Sequence, residues 1–264
     1  MRIFLLVLAL SALAPPAGAA STEAQRYREC AAAALRDPIP TLSQASAWRD
    51  AGGGVAAEHC LALVLATLER YEAAAQQFEQ VVEHLRRGRG VAAMDAPITP
   101  ALIASVLAQA GNAWLLAARY GDAYQAFSAA LTEAAPSDPE RVDILIDRAR
   151  ALALLGEAAS AIADLDNAQR MAPERAEIYL DRAAAQREMG ALEAAEADIA
   201  NALALAPDSP DIHLEAGNIA AARAQWSEAR KHWLAVLDKR VAGNAADAAR
   251  ANLEQLDVKS LDPR

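Results

Sequence analysis

Aromatic side chains make up only 5% of the 264 residues, and Val, Ile and Thr do not gather into strand-like runs. A β-sandwich or barrel is built from those residue types, so an all-β fold is excluded. Positive charge is also short: 25 basic side chains face 35 acidic ones, for a formal net charge of −10. That balance argues against a nucleic-acid backbone or an anionic lipid surface as the main partner. There is no HExxH, no phosphate-binding glycine loop and no GxSxG elbow, so no familiar catalytic motif is present. Gly52-Gly53-Gly54 follows no strand and reads as a turn between helices. What is abundant is alanine, roughly a quarter of the chain. Alanine is the strongest helix former, and the expectation is an all-α protein without catalytic activity or cofactor.

The first residues read as an address. Arg2 precedes the apolar run Ile3–Leu10, Pro15-Pro16 ends any helix, and Ala17-Gly18-Ala19 supplies small residues before a cut. This is the layout of a secretory signal peptide over 1–20. The run is too short to span a bilayer, and no cysteine lies near the cut for a lipid anchor. The expectation is a chain exported to the periplasm or secreted, not inserted in the membrane after processing.

The body repeats. Asp147-Arg148-Ala149 recurs as Asp181-Arg182-Ala183, and the same offset of 34 carries Gly156 onto Gly190, Ala161 onto Ala195, Asp164 onto Asp198 and Pro173 onto Pro207. One step further, Ala183 maps onto Gly217 and Ile199 onto Trp233. Going backwards, Gly111, Ala123, Phe127 and Ala130 keep the phase with Tyr120 at the turn, as do Tyr71, Ala74, Phe78 and Val81. This pattern resembles the tetratricopeptide repeat (TPR) family. The resemblance implies a right-handed α-solenoid of stacked helical hairpins, about five to six repeats, closed by a capping helix. The expected division is helical hairpins over 21–85, an Arg/Gly/Pro linker over 86–100, four repeats over 101–243, and a cap and tail over 244–264. Thr99-Pro100, Asp138-Pro139 and Ser209-Pro210 mark helix starts, each an N-cap followed by proline. Arg148 with Asp164, and Arg182 with Asp198, stand sixteen apart and are expected to bridge the two helices of a hairpin.

Cys30 and Cys60 are the only cysteines. In an exported chain such a pair reads first as a disulfide, here between the first helices of neighbouring hairpins. Free thiols, a redox pair and a metal site with His59 are the alternatives. A metal site needs three or four ligands, and the histidines fall at different phases of different repeats.

In the resembling family two positions on each first helix line a concave groove. Alignment places His59, Ala108, Ile146, Leu180 and Leu214 at one, and Leu63, Asn112, Arg150, Ala184 and Asn218 at the other. Asn112, Arg150 and Asn218 are the candidate polar contacts for a protein or extended peptide; the alternative is that the asparagines bond neighbouring helices and Arg150 pairs with an acid. A second candidate surface is the linker, where Arg86, Arg87 and Arg89 belong either to a solvated connector or to a docking loop for an acidic partner. The leading functional expectation is a periplasmic interaction scaffold, monomeric or weakly self-associating. A small-ligand-binding solenoid and a self-associating cell-envelope component are the alternatives.

Overall fold

The computed structural model describes residues 22–89, 97–238 and 243–261. The expected signal peptide and the middle of the 86–100 linker lie outside them. The described residues form thirteen helices and no strand. In chain order they are α1 (Thr22–Arg36), α2 (Pro38–Asp50), α3 (Gly54–Thr67), α4 (Tyr71–Arg86), α5 (Pro100–Leu116), α6 (Tyr120–Glu133) and α7 (Glu140–Leu154), then α8 (Ala158–Met171), α9 (Ala176–Glu188), α10 (Leu192–Leu205), α11 (Pro210–Ala222), α12 (Trp226–Asp238) and α13 (Asn244–Leu261). The chain divides into two compact units, 2–151 and 152–264, so the boundary falls inside α7. It does not fall at the 86–100 linker, because α4 and α5 pack directly on each other across that segment.

The helix starts follow their local chemistry. Thr99 accepts a hydrogen bond from Leu102 N at 3.1 Å, and Ser209 accepts one from Ile212 N at 3.5 Å. Each occupies the N-cap of a helix whose first residue is proline, which has no N–H to satisfy. Asp138 serves α7 in the same way, accepting from Glu140 N at 3.0 Å. The turns inside the hairpins share one geometry. Residues 69, 118, 156, 190 and 224 all have positive φ, between 56° and 81°. After each, the next N–H donates to the carbonyl five residues earlier at 2.8–2.9 Å, as in Arg119 to Trp114 and Ala191 to Gln186. Only Gly156 and Gly190 supply the residue type that this left-handed backbone favours; Glu69, Ala118 and Ala224 hold it as L-residues.

The core is made where alanine or glycine on one helix admits a large side chain from the next. A Cβ on Gly111 would stand 2.6 Å from the Phe127 ring, and one on Gly217 would stand 2.4 Å from Trp233. Both pairs are the ones that the repeat offset singles out. Phe78, Phe127, Leu165, Ile199 and Trp233 are all buried, as expected of residues that fill between helices.

In the N-terminal unit, Cys30 on α1 and Cys60 on α3 are joined, with Cα atoms 6.1 Å apart. The bond sits in a cluster with Trp48, Ala56, Leu61 and Val64, against Tyr27 and Leu42. His59 is no metal ligand here. Tyr27 O–H donates to its Nδ1 at 2.9 Å, and its Nε2–H donates to Gln109 Oε1 on α5 at 3.0 Å. Burial lowers its pKa from 6.5 to about 4, against the opposing pull of Gln109. The same burial pushes Tyr27 up to about 12.

In the C-terminal unit the expected bridge between Arg182 (α9) and Asp198 (α10) is present as two parallel bonds of 2.7 Å. Arg182 also reaches Asp166 on α8 at 2.6 Å. The bridge to Asp198 is not at the surface: Asp198 is 8% exposed and Arg182 12%. Arg148 and Asp164 belong to different units. Within its own, Arg148 donates to Ser128 Oγ at 3.2 Å and lies over the Tyr124 ring.

Candidate functional site

The expected groove positions are not equally open. His59 and Ile146 are buried, so neither offers a contact. The three polar points are engaged inside the protein. Arg150 donates to Asp147 one turn earlier at 2.9 Å. Asn112 on α5 bonds the same carboxylate, while its Oδ1 is buried with no hydrogen-bond partner among the described residues. Burial raises Asp147 above the usual carboxylate range, with Arg150 and Asn112 pulling the other way. Glu140, on the same helix, is raised by burial and by Asp138. The one cation among the three groove positions is thus balanced by an acid.

The linker arginines do not form one loop face. Arg86 is the last residue of α4 and pairs with Glu133 at 2.7 Å. Arg87 pairs with Glu83 one turn back at 2.5 Å, and Arg89 is exposed. Residues 90–96 lie outside the described residues.

Asn218 stands in a different setting. It lines an open pocket of about 270 Å³ with Arg187, Ala221, Trp226, Trp233, Asn252, Gln255 and Leu256. The pocket lies within the C-terminal unit, among α9, α11, α12 and α13. Its floor is a hydrogen-bond chain. Arg187 Nε donates to Glu215 at 2.5 Å, and Asn218 Nδ2 donates to the same carboxylate at 3.1 Å. Asn218 Oδ1 then accepts from Trp233 Nε1 at 3.3 Å and from Asn252 Nδ2 at 3.0 Å. These bonds fix the amide orientation of Asn218, since only its oxygen can accept. Asn252 is 34 residues after Asn218, so α13 continues the repeat register as well as covering the end. Its Ala246, Ala249, Leu253 and Leu256 pack on Ala220, Trp233 and Val236.

Trp226 is 44% exposed at the pocket rim. The site therefore combines one half-exposed aromatic side chain, one cation and several amides. That mixture suits an apolar side chain flanked by polar backbone. Among the described residues no three His, Cys, Asp or Glu side chains group to hold a metal ion.

No protein-family model matches the sequence, and no curated protein matches it either. Solved structures do. The chain is similar to the C-terminal part of a TPR repeat-containing protein from Cytophaga hutchinsonii, with a TM-score of 0.60, 13% identity, and coverage of 80% of this chain and 78% of that one. The fold is that of a TPR solenoid. It is likewise similar to MamA from Desulfovibrio magneticus RS-1, with a TM-score of 0.52, 16% identity, and coverage of 83% and 96%. A further MamA crystal structure gives 0.53 and 15% over 68% and 94%. At these identities the likeness is one of TPR fold.

Sequence reasoning missed most of the site. Arg187, Glu215 and Asn252 carry no motif. Two signals were nonetheless readable: Glu215 is three residues before Asn218 on one helix, and Asn252 is one repeat beyond it. The separation of the histidines by phase also misled. His213 and His232 are 19 residues apart, yet their Nδ1 atoms meet at 3.1 Å across the α11–α12 hairpin.

Proposed function

We propose that this TPR solenoid is a non-catalytic scaffold that binds another protein, or an extended segment of one, through the pocket in its C-terminal unit. The observation that carries the reading is the exposed Trp226 beside a pre-ordered row of amides and one guanidinium. Arg187 uses Nε and Nη2 on Glu215, which leaves Nη1 to donate to a carbonyl or carboxylate of the partner. At about 270 Å³ the pocket is smaller than the roughly 300–1,000 Å³ of small-molecule sites, which favours an inserted side chain over an enclosed free ligand.

We place the scaffold in the periplasm, as a monomer or weak homo-oligomer. The apolar run at 3–10 supports export, and the Cys30–Cys60 bond suits an oxidising compartment. Cell fractionation with mass measurement of the mature chain tests the address; a cytoplasmic chain that keeps residues 1–20 contradicts it.

The binding reading is tested by crosslinking in native extract with wild type beside Trp226→Ala and Arg187→Gln. A partner captured by wild type and lost with Trp226→Ala supports the pocket. A partner retained by both variants moves binding elsewhere on the protein. If no protein is captured and thermal shift finds a small ligand that stabilises the chain, the small-ligand alternative takes over.

A further inference from the structure

His213 on α11 and His232 on α12 face each other with Nδ1 atoms 3.1 Å apart and ring centroids 5.4 Å apart. The other nitrogen of His213, Nε2, lies 2.9 Å from the carbonyl oxygen of Pro207. A carbonyl can only accept, so Nε2 carries the proton and Nδ1 of neutral His213 is a bare acceptor. The contact between the rings therefore requires the N–H on Nδ1 of His232. One proton arrangement satisfies both bonds.

That arrangement fixes what acid does. A first proton can add to Nε2 of His232, which has no hydrogen-bond partner among the described residues. The resulting imidazolium still donates to His213, and the bond between them is strengthened by charge. A second proton has only Nδ1 of His213 to occupy, the very acceptor of that bond. Two N–H groups would then confront each other at bonding distance, on two charged rings.

We propose that the His213–His232 pair is a proton-operated latch on the α11–α12 hairpin, in which uptake of the second proton parts the rings and loosens the helices that carry Asn218, Trp226 and Trp233. The consequence for function rests on the reading of the pocket as a binding site: the partner is held at neutral pH and released in acid. The surroundings agree. Burial, then His213 and Lys231, hold His232 below the ordinary imidazole range, with Glu228 opposing. The charged side chains that other helices bring to this hairpin are spent in pairs of their own. Arg187 of α9 holds Glu215, Glu193 and Glu196 of α10 hold Arg223, and Asp257 of α13 holds Arg230. Asp247 and Arg250 of α13 pair with each other, and Asp208 and Asp211 flank the start of α11 in sequence.

The test uses the full-length protein without ligand, titrated from about pH 7.5 to about pH 4.5, the span in which imidazoles change charge. Histidine Cε1–H and tryptophan indole N–H resonances are followed by NMR. The latch predicts two linked histidine steps and indole shifts of Trp226 and Trp233 that track the second step. His232→Gln, which can still donate to His213, removes those shifts and leaves Trp48 and Trp114 behaving as in wild type. His213→Gln provides the same comparison should the first variant not fold. Independent histidine titrations, or indole shifts that persist in the glutamine variant, overturn the latch. Because no partner enters this measurement, a working latch with an empty pocket would sink only the binding reading, and the reverse result would sink only the latch.

Discussion

The Cys30–Cys60 bond in the N-terminal unit and the Arg182–Asp198 bridge in the C-terminal unit each tie a helix to its neighbour, by different physics. The disulfide acts where the repeat pattern is weakest. Among the described residues its helix α1 buries only Ala24 and Ala34 fully, and it is otherwise held by unrepeated devices: Tyr27 on His59, and Glu23 accepting from Trp48 Nε1 at 3.1 Å. The bridge acts where the pattern is regular, and its two residues recur with the scaffold. A covalent tie works mainly by restricting the unfolded chain. A buried ion pair works by satisfying charges that folding has already removed from water. The two units should therefore fail under different conditions.

The largest expected effect separates them most clearly. Arg182→Ala leaves Asp198 buried and uncompensated, which costs about 3–5 kcal/mol. Denaturant unfolding followed by a probe in 152–264 should show it, with the 2–151 unit unaffected. A loss below about 1 kcal/mol would mean that water relaxes into the site and that the bridge behaves as a surface pair. Reduction of Cys30–Cys60, or Cys30→Ser with Cys60→Ser, should cost about 3–4 kcal/mol for a closed loop of this size. Hydrogen exchange should then rise over α1 and α2 and stay unchanged over α9 to α12.

Acid sharpens the comparison next. His59 has a folded-state pKa of about 4, below its ordinary 6.5, so the fold favours the neutral ring. Its contribution is complete above about pH 6.5, declines as pH falls through that window, and is lost by about pH 4, for a total of about 3 kcal/mol. His59→Gln should flatten this part of the stability curve of the N-terminal unit. A curve that is unchanged in the variant would assign the acid sensitivity to other groups. The smallest expected effect concerns the hairpin turns. Ala224→Gly relieves a left-handed alanine and should stabilise by about 0.5–1 kcal/mol, while Gly190→Ala should destabilise by a similar amount. Paired thermal melts check both signs, and equal responses at the two positions would show that their turns are not equivalent.

The same contrast explains how much the sequence disclosed. Spacing by 34 exposes any feature that recurs, so Gly217 against Trp233 and Arg182 against Asp198 were legible, and the Thr99 and Ser209 caps were legible from a capping residue followed by proline. Features that occur once were not, apart from the Cys30–Cys60 bond, which a lone pair of cysteines announces. The cluster of Tyr27, Trp48 and His59 depends on α1 lying beside α3, and the meeting of His213 with His232 depends on antiparallel register inside a hairpin. The candidate site was half legible. Asn218 was legible by its position, and of its two readings the structure shows the one in which it bonds neighbouring helices. Glu215 and Asp147, each three residues before the polar residue that it engages, are the signal that separates the two readings.

The central claim, that partners are held by the C-terminal pocket, is tested most directly by site-specific photo-crosslinking in native extract. A photoreactive residue replaces Gln255 at the pocket in one sample and Leu63, on the N-terminal unit, in another. The account predicts a defined crosslinked product from position 255 and none from position 63. A product from position 63 alone would contradict it and transfer the binding surface to the stapled N-terminal hairpins.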